Sequence, residues 1–86
     1  NNTKEQKLEA FGRLLDIMDD FESNVLDKKQ TLESLRHLTI EEVYELGDAI
    51  LDNNLDELKK ELGDVLLHIV FYAKIGSEKN SFDIAD

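Results

Sequence analysis

The 86-residue chain carries 20 acidic against 10 basic side chains, a net charge of −10, with no cysteine, no proline and four glycines. Disulfides, thiolate zinc centres and cysteine nucleophiles are therefore excluded, and the charge argues against gripping a nucleic-acid backbone or an anionic membrane. A small anionic ligand would need a bridging cation, and a single, mostly helical domain of this size would need a partner to cover its apolar surface.

Leu8, Phe11, Leu14, Leu15, Met18 and Phe21 recur at three- and four-residue steps, which predicts a first amphipathic helix from Lys4 to Phe21 with this stripe in the core. Ser23-Asn24 breaks the pattern. Asp27-Lys28-Lys29-Gln30 then forms a polar connection into a short helical stretch carrying Leu32, Leu35 and Leu38. Thr39 followed by Glu42 reads as a capping box, so a second helix is expected to start there and run to Leu51, burying Ile40, Val43, Tyr44, Gly47, Ile50 and Leu51. Asp52-Asn53-Asn54 supplies a turn, and Asn54 caps a third helix from Leu55 to Ile75, with Gly76 as its stop. Across Val65–Ala73 that helix is apolar nearly all round, as expected of one covered on several sides. Ser81 with Phe82, Asp83, Ile84 and Asp86 reads as the capped first turn of a fourth helix. The chain opens on Asn1 and its single methionine is Met18, which reads as a processed or partly represented sequence, and a helix start with no body reads as a sequence truncated at its C-terminus or continuing into disorder. No secretory signal or membrane-spanning run is visible, and with no cysteine the expected compartment is the cytoplasm.

The chemistry is concentrated in Glu42-x-x-Glu45 and Glu61-x-x-Asp64, each of which sets two carboxylates on one helical face. Glu41, Glu45, Asp48 and Asp52 form a stripe about 60° wide with Glu42 beside it, and unrelieved like charges at this spacing repel. Glu45 lies six residues before Leu51 and Glu61 six after Leu55, so both sit roughly 9 Å from the turn. An antiparallel hairpin brings the two pairs level. Gly47 and Gly63 are expected to let the backbones approach closely. Four oxygen-bearing side chains gathered this way would take up protons or a hard divalent cation, Mg²⁺ or Mn²⁺. A di-iron carboxylate bundle would need Glu-x-x-His motifs, which are absent. His68 reads as a hydrogen-bonded core histidine and His37 as a surface residue.

Glu41-Glu42-Val43-Tyr44-Glu45 followed by Glu61-Leu62-Gly63-Asp64 resembles the EExxE…ExxD signature of MazG-type nucleoside triphosphate pyrophosphohydrolases. The similarity extends through Asp27–Arg36, Asp48-Ala49-Ile50, Val65–Ala73 and Phe82–Asp86, covering nearly the whole chain. The resemblance implies an all-α fold whose helical hairpin core forms a four-helix bundle through dimerisation, in a homodimer or tetramer. It implies Mg²⁺-dependent hydrolysis of nucleoside triphosphates to monophosphate and pyrophosphate, a house-cleaning role in the nucleotide pool. By motif position Glu42, Glu45, Glu61 and Asp64 would ligate the metal. Glu41, Glu42 and Glu45 would form the catalytic set, with Glu41 supporting the ligands or orienting water. Lys28, Lys29 and Arg36 are the candidates for phosphate contacts. The family usually carries Cys-Pro-Trp where this chain has Asn24-Val25-Leu26, and continues past the matched C-terminal stretch into a basic helix. Those departures define the second expectation, a non-catalytic helical dimerisation or regulatory module on the same scaffold. A magnesium- or calcium-buffering acidic protein is a third, and it lacks an EF-hand-like loop.

Overall fold

The computed structural model describes residues 1–22 and 30–86. Its elements are α1 (Lys4–Glu22), α2 (Leu32–Leu51) and α3 (Leu55–Glu78). They fall into two compact units, Asn1–Gln30 and Thr31–Asp86, each taken here by itself. The Ser23-Asn24 break, the Asn24–Leu26 departure, and Asp27, Lys28 and Lys29 lie outside the described residues.

In the first unit, α1 starts on a reciprocal cap. Thr3 Oγ1 accepts the Gln6 N–H at 3.1 Å while Gln6 Oε1 accepts the Thr3 N–H at 2.8 Å, satisfying donors that the first turn would otherwise leave unpaired. The helix follows the predicted span. Leu8, expected in the core, is exposed, because this early turn has nothing in its own unit to cover it.

The second unit is a helical hairpin of α2 packed on α3. Its first helix begins eight residues before the expected start. Thr31 is the N-cap, exchanging hydrogen bonds with Ser34 at 3.0 and 2.9 Å, and the helix runs unbroken through Thr39. Thr39 makes no cap because its hydroxyl bonds back to the Leu35 carbonyl at 3.1 Å, a bond that a threonine inside a helix can make.

Both helices stop in the same way. Asn53 takes a left-handed conformation, φ 53°, so that its N–H reaches the Ile50 carbonyl at 3.1 Å and the Asn54 N–H reaches Ala49 at 3.2 Å. Asn54 then caps α3 by accepting the Glu57 N–H at 3.1 Å, as predicted. At the far end Asn80, φ 58°, repeats the motif with Ser77 and Gly76 as acceptors, each at 3.0 Å. The stop assigned to Gly76 therefore belongs to Asn80, and α3 runs on to Glu78. Gly76 instead provides the flat surface on which the Phe82 ring lies. Ser81–Asp86 is a turn rather than a fourth helix, closed by the Asp83 carboxylate on the Ala85 N–H and the Asp86 carboxylate on the Asp83 N–H.

The seam between α2 and α3 differs most from the sequence expectation. From α2 it takes Leu35, Thr39, Glu42, Leu46 and Ala49, and from α3 Leu58, Glu61, Val65, His68, Tyr72 and Ile75, all buried or half-buried. These recur at alternating three- and four-residue steps, the spacing of a coiled-coil seam. Ile40, Val43, Tyr44, Ile50 and Leu51, expected in the core, are exposed, and Tyr44 is 73% so. The intrachain contact uses a mixed stripe of α2, with Thr39 and Glu42 set among Leu35, Leu46 and Ala49, and a second set of apolar residues is turned outward. Gly47 and Gly63 do not enable a close approach, because a methyl built on either meets nothing within 4 Å. Among the described residues no helix is long and apolar enough to cross a membrane.

Two glycine substitutions should therefore behave oppositely. Gly63→Ala adds a side chain in open space and removes a helix-interior glycine, so chemical denaturation should show a gain of about 0.5–1 kcal/mol. Gly76→Ala would place a methyl inside the Phe82 ring. Limited proteolysis should then cut residues 79–86 faster than in the unmodified chain.

Candidate metal centre

One level inside the hairpin turn, α2 and α3 bring three carboxylates together. One oxygen from each of Glu42, Glu45 and Glu61 lies within 4.8 Å of the others. They form a gradient from interior to solvent. Glu61 is 1% exposed and forms the floor, Glu42 is half-buried, and Glu45 is exposed at the rim. The i,i+3 spacing puts Glu42 and Glu45 on one side of α2, and Glu61 reaches them because it occupies a seam position of α3.

The electrostatics of this cluster are unrelieved from within. Glu61 Oε2 and Glu42 Oε2 are both buried and have no hydrogen-bond partner. Lys60 places its ammonium 3.8 Å from Glu61 Oε1, but the same group is 3.7 Å from Glu57, and it is mostly in solvent. Glu57 first and Glu61 second hold the Lys60 pKa above its usual value. Burial pushes the Glu61 carboxyl from 4.5 up to about 7, and hydrogen bonds to Glu45 and Glu42 that only its protonated form can donate push the same way, as do their charges. A buried charged oxygen without a partner is expensive. An oxygen-seeking divalent cation fits this set: three carboxylate donors, two of them with buried oxygens that nothing else satisfies.

Asp64, half-buried one turn along α3 from Glu61, is not among the three side chains whose oxygens converge. Glu41 and Asp48 are exposed on α2, as is Arg36, and Asp52 is exposed at its C-cap. His68 is half-buried and hydrogen-bonded, as its position inside an apolar stretch predicts. Thr39, expected only as a cap, and Tyr72, not singled out in the sequence, belong to a polar cluster with His68: Thr39 Oγ1 lies 2.8 Å from His68 Nδ1 and 2.6 Å from the Tyr72 hydroxyl. The signal that could have found them is the heptad spacing of Leu35, Thr39, Glu42 and Leu46, visible once polar residues are admitted to a seam.

The Glu61 shift fixes a direction for pH dependence. Its carboxyl holds a proton more tightly folded than unfolded, so its contribution to stability is full below about pH 4.5 and is lost as pH rises through about 7. A cation bound there would replace that proton. The rise in melting temperature on adding Mg²⁺ or Mn²⁺ to chelator-treated protein should be larger at pH 8 than at pH 5.5, and a calorimetric scan at both values checks it.

Residues 30–86 match the family model described as the MazG nucleotide pyrophosphohydrolase domain. The chain is 48% identical over 79 residues to a nucleoside triphosphate pyrophosphohydrolase/pyrophosphatase MazG of Thermotoga maritima, covering 88% of this chain and 31% of that protein. It is 42% identical over 83 residues to the nucleoside triphosphate pyrophosphohydrolase of Escherichia coli, covering 92% and 32% respectively. A third relative, a nucleoside triphosphate pyrophosphohydrolase of Mycolicibacterium smegmatis, is 50% identical over 52 residues, covering 60% of this chain and 16% of its own. The chain thus spans about a third or less of the length of these relatives. With three of the signature carboxylates, Glu42, Glu45 and Glu61, gathered between α2 and α3 and the family model matched across both helices, the chain belongs to the MazG nucleotide pyrophosphohydrolase domain family.

Proposed function

We propose that this domain hydrolyses ribo- or deoxyribonucleoside triphosphates between the α- and β-phosphates, yielding monophosphate and pyrophosphate. The observation that carries this reading is the pair of partnerless buried oxygens on Glu42 and Glu61, at signature positions of the family. In the proposal Glu42, Glu45 and Glu61 hold Mg²⁺, with Mn²⁺ as a substitute, and Asp64 completes the set from one turn along α3. Such an ion supplies charge neutralisation and Lewis acidity toward the phosphate chain. Glu61 and Glu42, shielded from water, keep full electrostatic strength, while exposed Glu45 closes the site from the solvent side. Glu41, next to Glu42 and exposed, orients the attacking water. Lys28, Lys29 and Arg36 are assigned to the phosphates, where their charge offsets the repulsion between an acidic domain and an anionic substrate.

The same reading includes a homodimer or tetramer. Ile40, Val43, Tyr44, Ile50 and Leu51 on α2, with Leu62, Leu66 and Ile69 on α3, are exposed at helical spacing. A second hairpin laid on that surface would complete a four-helix bundle and bury it. Acting on free nucleotides, the protein would serve the cytoplasmic pool as a house-cleaning enzyme, without nucleic-acid or membrane partners.

Incubation of a panel of canonical and modified triphosphates with Mg²⁺ should release pyrophosphate and monophosphate. Glu61→Gln and Glu42→Gln should each lower turnover by about 100-fold or more, the scale on which one charge-stabilising group contributes. Release of orthophosphate instead would refute the assigned bond. The departure at Asn24-Val25-Leu26 favours a second reading, a non-catalytic scaffold. Under that reading no triphosphate is turned over. Light scattering on Leu66→Lys should show the oligomer shifted toward monomer.

A further inference from the structure

Thr39 Oγ1 has three neighbours and only one proton. The Leu35 carbonyl, 3.1 Å away, can only accept, so the threonine hydroxyl must donate to it. His68 Nδ1 at 2.8 Å and the Tyr72 hydroxyl at 2.6 Å are then both donors to Thr39. This assignment alone satisfies all three contacts, and it ties two side chains of α3 to one atom of α2. The tie is half-buried, where hydrogen bonds exchange little with water.

Its position along the hairpin gives it a task. Glu45 and Glu61 stand about 9 Å from the covalent turn, whereas Thr39 and His68 stand about 18–20 Å from it. The carboxylate cluster therefore lies between two fastenings, the turn at one end and the threonine tie at the other. When ionised, three carboxylates whose oxygens lie within 4.8 Å of one another push α2 and α3 apart. The apolar seam opposes that force without direction, whereas the tie fixes which atoms of the two helices stay in contact beyond the site.

We infer that Thr39, His68 and Tyr72 are positioning residues for the cation site: their shared hydrogen bonds hold α2 and α3 at the separation at which Glu42, Glu45 and Glu61 can grip one ion. The inference rests on reading those carboxylates as a cation site, and it assigns the three polar residues to the strength of ion binding rather than to chemistry on the substrate.

The test is Mn²⁺ binding to the unmodified chain and to Thr39→Val, Thr39→Ser and Tyr72→Phe, followed by paramagnetic resonance and by the Mn²⁺-induced rise in melting temperature. Valine keeps the branched shape and removes the acceptor, so Mn²⁺ affinity should fall about tenfold or more, as when a hydrogen bond supporting a metal ligand is lost. Serine restores the hydroxyl and should recover most of that loss. Tyr72→Phe removes one arm, and should weaken Mn²⁺ less than valine does. A role confined to stability would lower the melting temperatures of free and loaded protein together and leave the Mn²⁺-induced rise unchanged. That result, or equal affinities for the valine and unmodified proteins, overturns the inference while leaving the site intact. Should Thr39→Val not fold, unchanged Mn²⁺ affinity in Tyr72→Phe overturns it equally. No Mn²⁺ binding by the unmodified chain overturns both the site and the tie.

Discussion

The hairpin depends on an unusual constraint: two helices are packed through a seam that contains their acidic residues. Burial of Glu61 with Glu42 beside it opposes folding, because each loses water and gains a like-charged neighbour. Apolar seam residues above and below, Leu35, Ala49, Val65 and Ile75 among them, hold the helices together across the gap. Local signals agree with them. Paired caps at Thr31 and Asn54 and left-handed asparagines at both helix ends fix the lengths of α2 and α3, and with them the register that brings Glu42, Glu45 and Glu61 level. Stability is thereby spent at one point, where three carboxylate oxygens are gathered within 4.8 Å of one another.

Putting polar groups inside leaves apolar groups outside. Residues that a lone hairpin would bury face solvent on both helices, from Ile40 to Leu51 and from Leu62 to Ile69. These two features are linked by helical geometry. Each helix gives one stripe to the seam, and because that stripe includes Thr39, Glu42, Glu61 and His68, apolar residues on the rest of the surface are left facing solvent.

Much of this arrangement could be read in the residues, and the parts that could not share a cause. The turn at Asp52–Asn54, the cap on α3 and the level placement of Glu45 and Glu61 follow from local rules that no distant contact overrides. Misassignments arose where a residue type has a usual meaning that tertiary context cancelled. Thr39 looks like a cap because threonine commonly is one, yet its hydroxyl is taken by the Leu35 carbonyl and by two side chains of α3. Gly76 looks like a stop, yet what it provides is room for a ring. Apolar residues on α2 look like core because periodicity identifies a face without saying what covers it. Of the proposed ligands, three converge, and Asp64 shares a side of α3 with Glu61 without joining the converged oxygens. Spacing gives the side of a helix, whereas the length and tilt of each side chain decide which oxygens meet.

The two helix stops have a mechanical meaning. Asparagine tolerates the left-handed backbone at residues 53 and 80 less freely than glycine would, but it leaves the unfolded chain fewer conformations to lose and pins the bend through two carbonyl contacts. A corner built this way is stiff. Opening the helices like a book about residues 52–54 would break those contacts, so the bend resists hinging and holds the near ends of α2 and α3 at a fixed angle to each other.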